Sequence, residues 1–265
     1  MFAVPLTRQT QQDGLLVAAG FAVLFLVTRR RWIADEVVGS RAALTGAHAE
    51  HLSRVLRAHP GQKMDVVANG VVRTGTIMAV DGDRVEFELG EEIASASAAG
   101  ITLIISIFKF DRMEWAIEKC TELGVCRIVP LIARRTESHL AAAASKRVER
   151  WRRIARQASE QSRRAEAPDI SSPVELKDAL PISADTCILL DESENTTQMR
   201  DLVEPGRTLA LAFGPEGGWT SDELQQFHAA GWKSASLGST ILRAETAAIA
   251  ATAIAISLLE AHGRV

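Results

Sequence analysis

From residue 101 onward the chain alternates between short, unbroken apolar runs and longer amphipathic stretches. The runs 101–108, 127–133, 186–190, 208–213 and 233–237 read as strands. The stretches 112–123, 142–162, 221–230 and 244–261 read as helices. Apolar strands separated by amphipathic helices predict an α/β fold with a mostly parallel sheet covered on both faces. The pattern before residue 96 is different. A helix at 47–57 precedes partly alternating β-branched runs at 62–68, 71–80 and 84–89, and turn signals at Asn69-Gly70 and Asp81-Gly82-Asp83 separate those runs. Short strands joined by tight turns predict a small β-barrel.

These patterns divide the chain into an extension at 1–30, a barrel at 31–95 and an α/β domain at 96–265, with a small, polar linker around 92–100. The last helix is apolar nearly all round, so part of it must be buried by something besides its own sheet. A homodimer is the expected arrangement. Residues 15–27 form an apolar run of 13 residues, short of the roughly 20 that span a bilayer. Arg29-Arg30-Arg31 follow this run, and no small-x-small cleavage site succeeds it. The expectation is a start codon placed too early, with translation beginning near Val27 and no membrane anchor. A membrane-anchored protein is the rival reading.

At 265 residues and 47% hydrophobic, the protein can bury a core without disulfides or metals. The net charge of −3 does not by itself mark a nucleic-acid binder. Cys120, Cys126 and Cys187 have no metal-ligand spacing and suit reduced thiols in the cytoplasm. No metal is expected.

Chemistry concentrates at two bends. The first, Phe213-Gly214-Pro215-Glu216-Gly217-Gly218-Trp219, leaves an apolar strand and enters a helix through Thr220 and Glu223, which have capping-box spacing. Ligands in open α/β sheets bind beyond the carboxyl ends of strands, and glycines let the backbone approach a ligand closely. The bend is neither a phosphate loop nor a dinucleotide fingerprint. The second bend runs from Leu237-Gly238 to Thr246 and opens the last helix. Glu245 suits the positive end of that helix, whereas Arg243 does not and needs a ligand or carboxylate to meet.

The two bends, together with residues 112–125 and Glu160-Gln161-Ser162-Arg163-Arg164, resemble the ribosomal RNA small subunit methyltransferase E family, from about Arg31 to the C-terminus. The resemblance implies a SPOUT-type, trefoil-knotted methyltransferase domain behind a PUA-like RNA-binding barrel. It also implies methylation of N3 of uridine 1498 in 16S ribosomal RNA, on the small subunit, with S-adenosylmethionine as cofactor. Leu190, Phe213, Gly214, Glu216, Gly217, Gly218, Leu237, Gly238, Ile241, Leu242 and Thr246 would hold the cofactor. Arg243 and Glu245 would be catalytic, with Glu245 or Glu216 either taking the N3 proton or orienting Arg243. A non-catalytic RNA-binding or ribosome-assembly protein on the same scaffold is the alternative.

Charge adds an independent signal. Residues 134–164 hold ten Lys/Arg against three acids, an electrostatic footprint for a phosphate backbone. Arg134, Arg135, Arg163 and Arg164 lie at element ends and are the expected RNA contacts, with Arg112 and Lys119 added from the family-like helix. Trp151, inside the basic stretch, is expected in the core.

Overall fold

The computed structural model describes residues 31–93 and 100–260. The apolar run at 15–27, the proposed start near Val27 and most of the expected linker lie outside those residues. The first sheet contains β1 (Trp32–Ile33), β2 (Glu36–Val38), β3 (Arg41–Thr45), β4 (Lys63–Ala68), β5 (Val71–Asp81) and β6 (Arg84–Glu92). A short helix α1 (Gly46–Glu50) and one π-helical turn (His51–Val55) interrupt it. The second sheet contains β7 (Ile101–Ser106), β8 (Arg127–Ile132), β9 (Asp169–Ile170), β10 (Val174–Glu175), β11 (Thr186–Leu190), β12 (Leu209–Phe213) and β13 (Lys233–Ala235). Its helices are α2 (Phe110–Leu123), α3 (Ser138–Ala144), α4 (Val148–Gln161), α5 (Leu176–Ala179), α6 (Ser221–Ala229) and α7 (Ala244–Leu259).

The first sheet is mixed and curled, in the order β1-β4-β5-β6-β3-β2, with only β1–β4 parallel. Its β4–β5 hairpin turns on Asn69 and Gly70 at φ +51° and +77°. Both values are positive, as a two-residue hairpin requires. Trp32, Leu44, Leu52 and Phe87 fill the interior. The expected helix at 47–57 is cut short because the chain widens into the π turn while Leu52 stays fully buried. Strands β1 to β3, too short to show an alternating pattern, escaped the sequence pattern altogether.

The second sheet is entirely parallel, in the order β10-β8-β7-β12-β11-β13, with β9 beside β8. One face carries α2, α4 and α7 over a core that includes Met113, Trp151, Phe213 and Ala251. The other face carries α6 over Trp219, Phe227 and Trp232. Trp151 is a core residue as expected, at 0% exposure. The predicted helix 142–162 is two helices joined by a 3-10 turn at Ser145–Arg147, which neither glycine nor proline announces. Cys120 is buried between α2 and α7, and burial pushes its thiol up to about 12. Helix α7 buries Ala248, Ala251, Thr252 and Ala255, while Ile254 is exposed.

Two features position the site. After β13 the chain is hydrogen-bonded along both edges. Asp191 N–H donates to Ala235 O (3.1 Å), Ser236 N–H to Thr197 O (2.9 Å), and Met199 N–H to Ser236 O (2.9 Å). The second bend is thereby held between β11 and the segment that follows β11. Ion pairs join the barrel to α4 and the turn that follows it: Arg156 with Asp35 at 2.7 Å and Arg163 with Asp65 at 3.0 Å. No described helix is long and apolar enough to cross a membrane, and no described group of His, Cys, Asp and Glu suits a metal.

Candidate functional site

The carboxyl ends of β11, β12 and β13 open into one cleft of about 510 Å³. Both bends reach it. The first contributes Phe213, Gly214, Glu216 and Gly218, and the second contributes Leu237, Gly238, Ile241, Leu242 and Arg243; Leu190 lines it too, and so does Arg112, which the sequence assigned to RNA instead. Gly217 and Thr246 do not line it, and Thr246 faces solvent. The glycines serve geometry: Gly218 and Gly238 sit at φ +69° and +146°, a region where an L side chain is strained. The sequence reading missed the loop after β11. Asp191, Glu192, Ser193, Glu194 and Asn195 all line the cleft. The signal was present, since the same strand-end rule that selected the bends applies to Leu190.

A bracing network fixes the first bend. Thr220 caps α6, and the buried Glu223 carboxylate accepts from Thr220 N–H and Oγ1–H (both 2.8 Å) and from Arg134 N–H (2.8 Å). The predicted capping box is therefore real and extends to a third element. Trp219 donates Nε1–H to Leu190 O (3.0 Å), tying the first bend to β11. Arg135 donates from Nη1 to Gly217 O (2.6 Å) and Trp219 O (3.2 Å), and its side chain lies so close to Gly217 that a Cβ there would meet it at 3.3 Å. A guanidinium spent on two carbonyls positions the bend. Arg135→Gln is expected to weaken binding of the cleft's ligand about tenfold through loosening of the bend, each lost charged hydrogen bond being worth roughly 1.5–3 kcal/mol at most. Calorimetry checks it, and an unchanged affinity would remove the brace.

The acidic loop is itself locked. Glu194 accepts from Thr196 Oγ1–H (2.5 Å), Thr196 N–H (2.7 Å) and Thr197 N–H (3.0 Å), and these bonds hold its carboxyl down to about 2. A depressed folded value stabilises the loop at any pH above the ordinary carboxylate range. That stabilisation fades as pH falls from the ordinary value of 4.5 through about 2. Glu194→Ala is expected to bind the cleft's ligand more weakly than the parent at neutral pH and to lack the part of the acid decline that Glu194 gives the parent, so the two affinities converge toward pH 2; equal affinity at neutral pH with coincident acid limbs would show that the lock does not matter.

The charged residues of the cleft fall into two groups. Arg112, from α2, pairs with Glu216 (Nη1 to Oε1, 2.9 Å) and approaches Glu245 (Nε to Oε1, 3.8 Å). Glu245 is buried in the first turn of α7 and does not line the cleft, whereas Glu216 is 40% exposed and does. Arg243 lies at the N-terminus of α7, exposed on the cleft rim, and its guanidinium has no ion pair among the described residues. The sequence linked Arg243 with Glu245; in the fold it is Arg112 that Glu245 meets.

The expected RNA contacts are dispersed, and most are engaged within the chain. Besides Arg112 and Arg135, Lys119 pairs with Glu118 (2.7 Å) and Glu122 (2.8 Å). Arg163 pairs with Asp65, and Arg164 donates to Thr121 O (2.8 Å) and Val125 O (2.6 Å) at the end of α2. Arg134 alone of the six has a guanidinium without a partner among the described residues. Part of the basic stretch is engaged in the same way: Arg150 is bidentate on Glu114 (2.6 and 2.7 Å), and Arg147 lies over the Phe110 ring at 4.7 Å, while Lys146 and Arg153 have no ion pair among the described residues.

A parallel sheet with its cleft at two glycine bends, behind a small barrel, is an RNA methyltransferase architecture. The model of the RNA methyltransferase domain family matches residues 95–256. More narrowly, the chain belongs to the ribosomal RNA small subunit methyltransferase E family. It is 30% identical over 222 residues to the protein of that name from Aquifex aeolicus, covering 83% of this chain and 96% of the relative. It is 33% identical over 245 residues to the one from Synechocystis, covering 89% and 80%. Among solved structures, a ribosomal RNA small subunit methyltransferase E from Neisseria gonorrhoeae bound to S-adenosyl methionine superposes with a TM-score of 0.76 at 31% identity, covering 85% of this chain and 95% of that one. A putative methyltransferase from Legionella pneumophila in complex with bound SAM gives 0.75 at 29% identity, covering 88% and 97%.

Proposed function

We propose that this protein transfers a methyl group from S-adenosylmethionine to N3 of uridine 1498 in 16S ribosomal RNA, on the small ribosomal subunit in the cytoplasm. The observation that carries the reading is the meeting of two glycine bends in one cleft, with the guanidinium of Arg243, which has no ion pair among the described residues, on its rim. The residues present fit the cofactor. Glycines bring backbone donors and acceptors to the cleft, Leu190, Ile241 and Leu242 supply apolar contact, and the carboxylates of Asp191, Glu192, Glu194 and Glu216 favour a cation. When bound, the sulfonium supplies a methyl carbon already activated for transfer.

The chain's own work is alignment, exclusion of water and proton handling. N3 lies on the pairing edge of uracil, so the target base must be unpaired or extruded to enter. Arg243 stabilises the negative charge that develops on a uracil carbonyl as the N3 proton leaves. Glu216 faces the cleft and takes that proton. Glu245, buried behind it, holds Arg112, and Arg112 holds Glu216. The barrel (31–95) contacts RNA, the α/β domain (96–265) carries the knotted cofactor site, and the exposed side of α7 around Ile254 joins two copies as a homodimer. The test is methyl transfer from labelled S-adenosylmethionine to small subunits lacking the modification, followed by mapping of the modified base. Label at N3 of that uridine is the expected result; label on another base or none overturns the assignment.

A further inference from the structure

One corner of the barrel departs from regular structure in two ways at once. Helix α1 widens into the π turn His51–Val55, and the chain then reverses at Arg57 with φ +50°. Leu56 N–H donates to His51 O (3.1 Å), and Ala58 N–H donates to Leu52 O (3.0 Å), six residues back. Arg57 thus occupies the left-handed position that closes a helix, a place glycine fills without strain. Strained residues and π turns concentrate where a fold serves a function.

The corner brings cations and apolar side chains together in four consecutive exposed residues. Arg54, Val55, Leu56 and Arg57 are all exposed, the two apolar side chains by 64% and 50%. Among the described residues neither Arg54 nor Arg57 has an ion pair, which they share with the half-buried Arg73 of β5, whereas Arg31, Arg41 and Arg84 of the same barrel are paired with Asp65, Glu88 and Glu36. The projection is firmly seated. Leu52 and Ala58 are buried on either side of it, and Ser53 Oγ–H donates to Gly82 O (2.8 Å).

We propose that this corner is a docking contact for unpaired ribosomal RNA, with Arg54 and Arg57 on phosphates and Val55 and Leu56 against an unstacked base. Two uncancelled cations flanking an apolar pair match the alternation of phosphate and base along a single strand. The inference rests on the ribosomal RNA methyltransferase reading, which supplies the RNA. It locates the barrel's contribution away from the expected RNA-contacting arginines of the α/β domain, most of which are spent inside the chain.

The conformation of Arg57 provides the test. Arg57→Gly relieves the strained backbone while deleting a cation, so fold and binding should move in opposite directions. Full-length parent, Arg57→Gly, Arg54→Ala and the double variant are titrated against 16S ribosomal RNA transcribed in vitro, over about 50–200 mM salt. Each single variant is expected to bind roughly 3–10-fold more weakly, with the salt slope reduced by about one, and the double variant by about two. The unfolding midpoint of Arg57→Gly stays level or rises, and affinity for S-adenosylmethionine is unchanged in every variant. If Arg57→Gly lowers the midpoint, Arg54→Ala decides on the same readouts. Parent-like RNA affinity and slope in both single variants overturn the proposal. Unchanged binding to naked RNA with lost binding to intact small subunits also overturns it, and assigns the corner to a ribosomal protein. A parent protein that neither binds the methyl donor nor methylates subunits sinks the underlying reading instead.

Discussion

Arg243→Ala is expected to lower methyl transfer by about 10²–10³-fold, the scale seen when one preorganised donor to a developing anion is removed, while affinity for S-adenosylmethionine stays within about threefold. The separation follows from where Arg243 sits. It is on the exposed rim of the cleft, at the far end of the second bend from its glycine, and no carboxylate engages its side chain among the described residues. Its N-terminal placement on α7 is electrostatically unfavourable, so the substitution leaves the fold unharmed or slightly improved. Arg243→Lys keeps the charge and loses the planar fork, and an intermediate rate is expected. Single-turnover transfer to unmethylated subunits, read beside calorimetric cofactor binding, checks all of this. Full turnover in Arg243→Ala removes the residue from the chemistry.

The second large effect is on stability. Glu223 is 1% exposed and accepts three hydrogen bonds, two from Thr220 and one from Arg134 N–H. Glu223→Ala breaks the reciprocal half of the cap and strands donors in a buried place. A lost cap costs about 1 kcal/mol and each unsatisfied buried donor about 1–3 kcal/mol. A destabilisation of roughly 2–4 kcal/mol is expected, lowering the unfolding midpoint by roughly 5–15 °C for a protein this size. Glu223→Gln retains an acceptor and should recover part of it. Because the same carboxylate anchors the end of the first bend, cofactor affinity should fall along with the midpoint. A midpoint within a degree of the parent would show that Arg134 and Thr220 find other partners.

Much of the site was readable along the chain because its determinants are local. The glycines of both bends, the Thr220–Glu223 cap and the apolar strands before them lie within a few residues of one another. Parallel strands buried on both faces also advertise themselves as continuous apolar runs. The partners of the charged side chains were not readable. Arg112 meets Glu216 across 104 positions, Arg135 meets Gly217 across 82, and Arg163 meets Asp65 across 98. Nothing local distinguishes an arginine destined for an internal carbonyl from one left for a ligand. The basic stretch therefore read as a larger RNA footprint than its unpaired guanidiniums provide. Arg54 and Arg57 went unnoticed for the complementary reason: two arginines on a presumed regular helix draw no attention until the backbone reverses beneath them.

By itself, the order of residues determined the two kinds of sheet, the strand ends that carry the bends and the family to which they belong. Each of these follows from short-range periodicity, turn chemistry and helix capping. Only the tertiary structure decided which bends share a cleft, which arginines remain available and which carboxylate faces inward. Those outcomes depend on contacts between distant segments, whose geometry is set by how the sheets pack and by where low-dielectric burial forces each charge to find a partner.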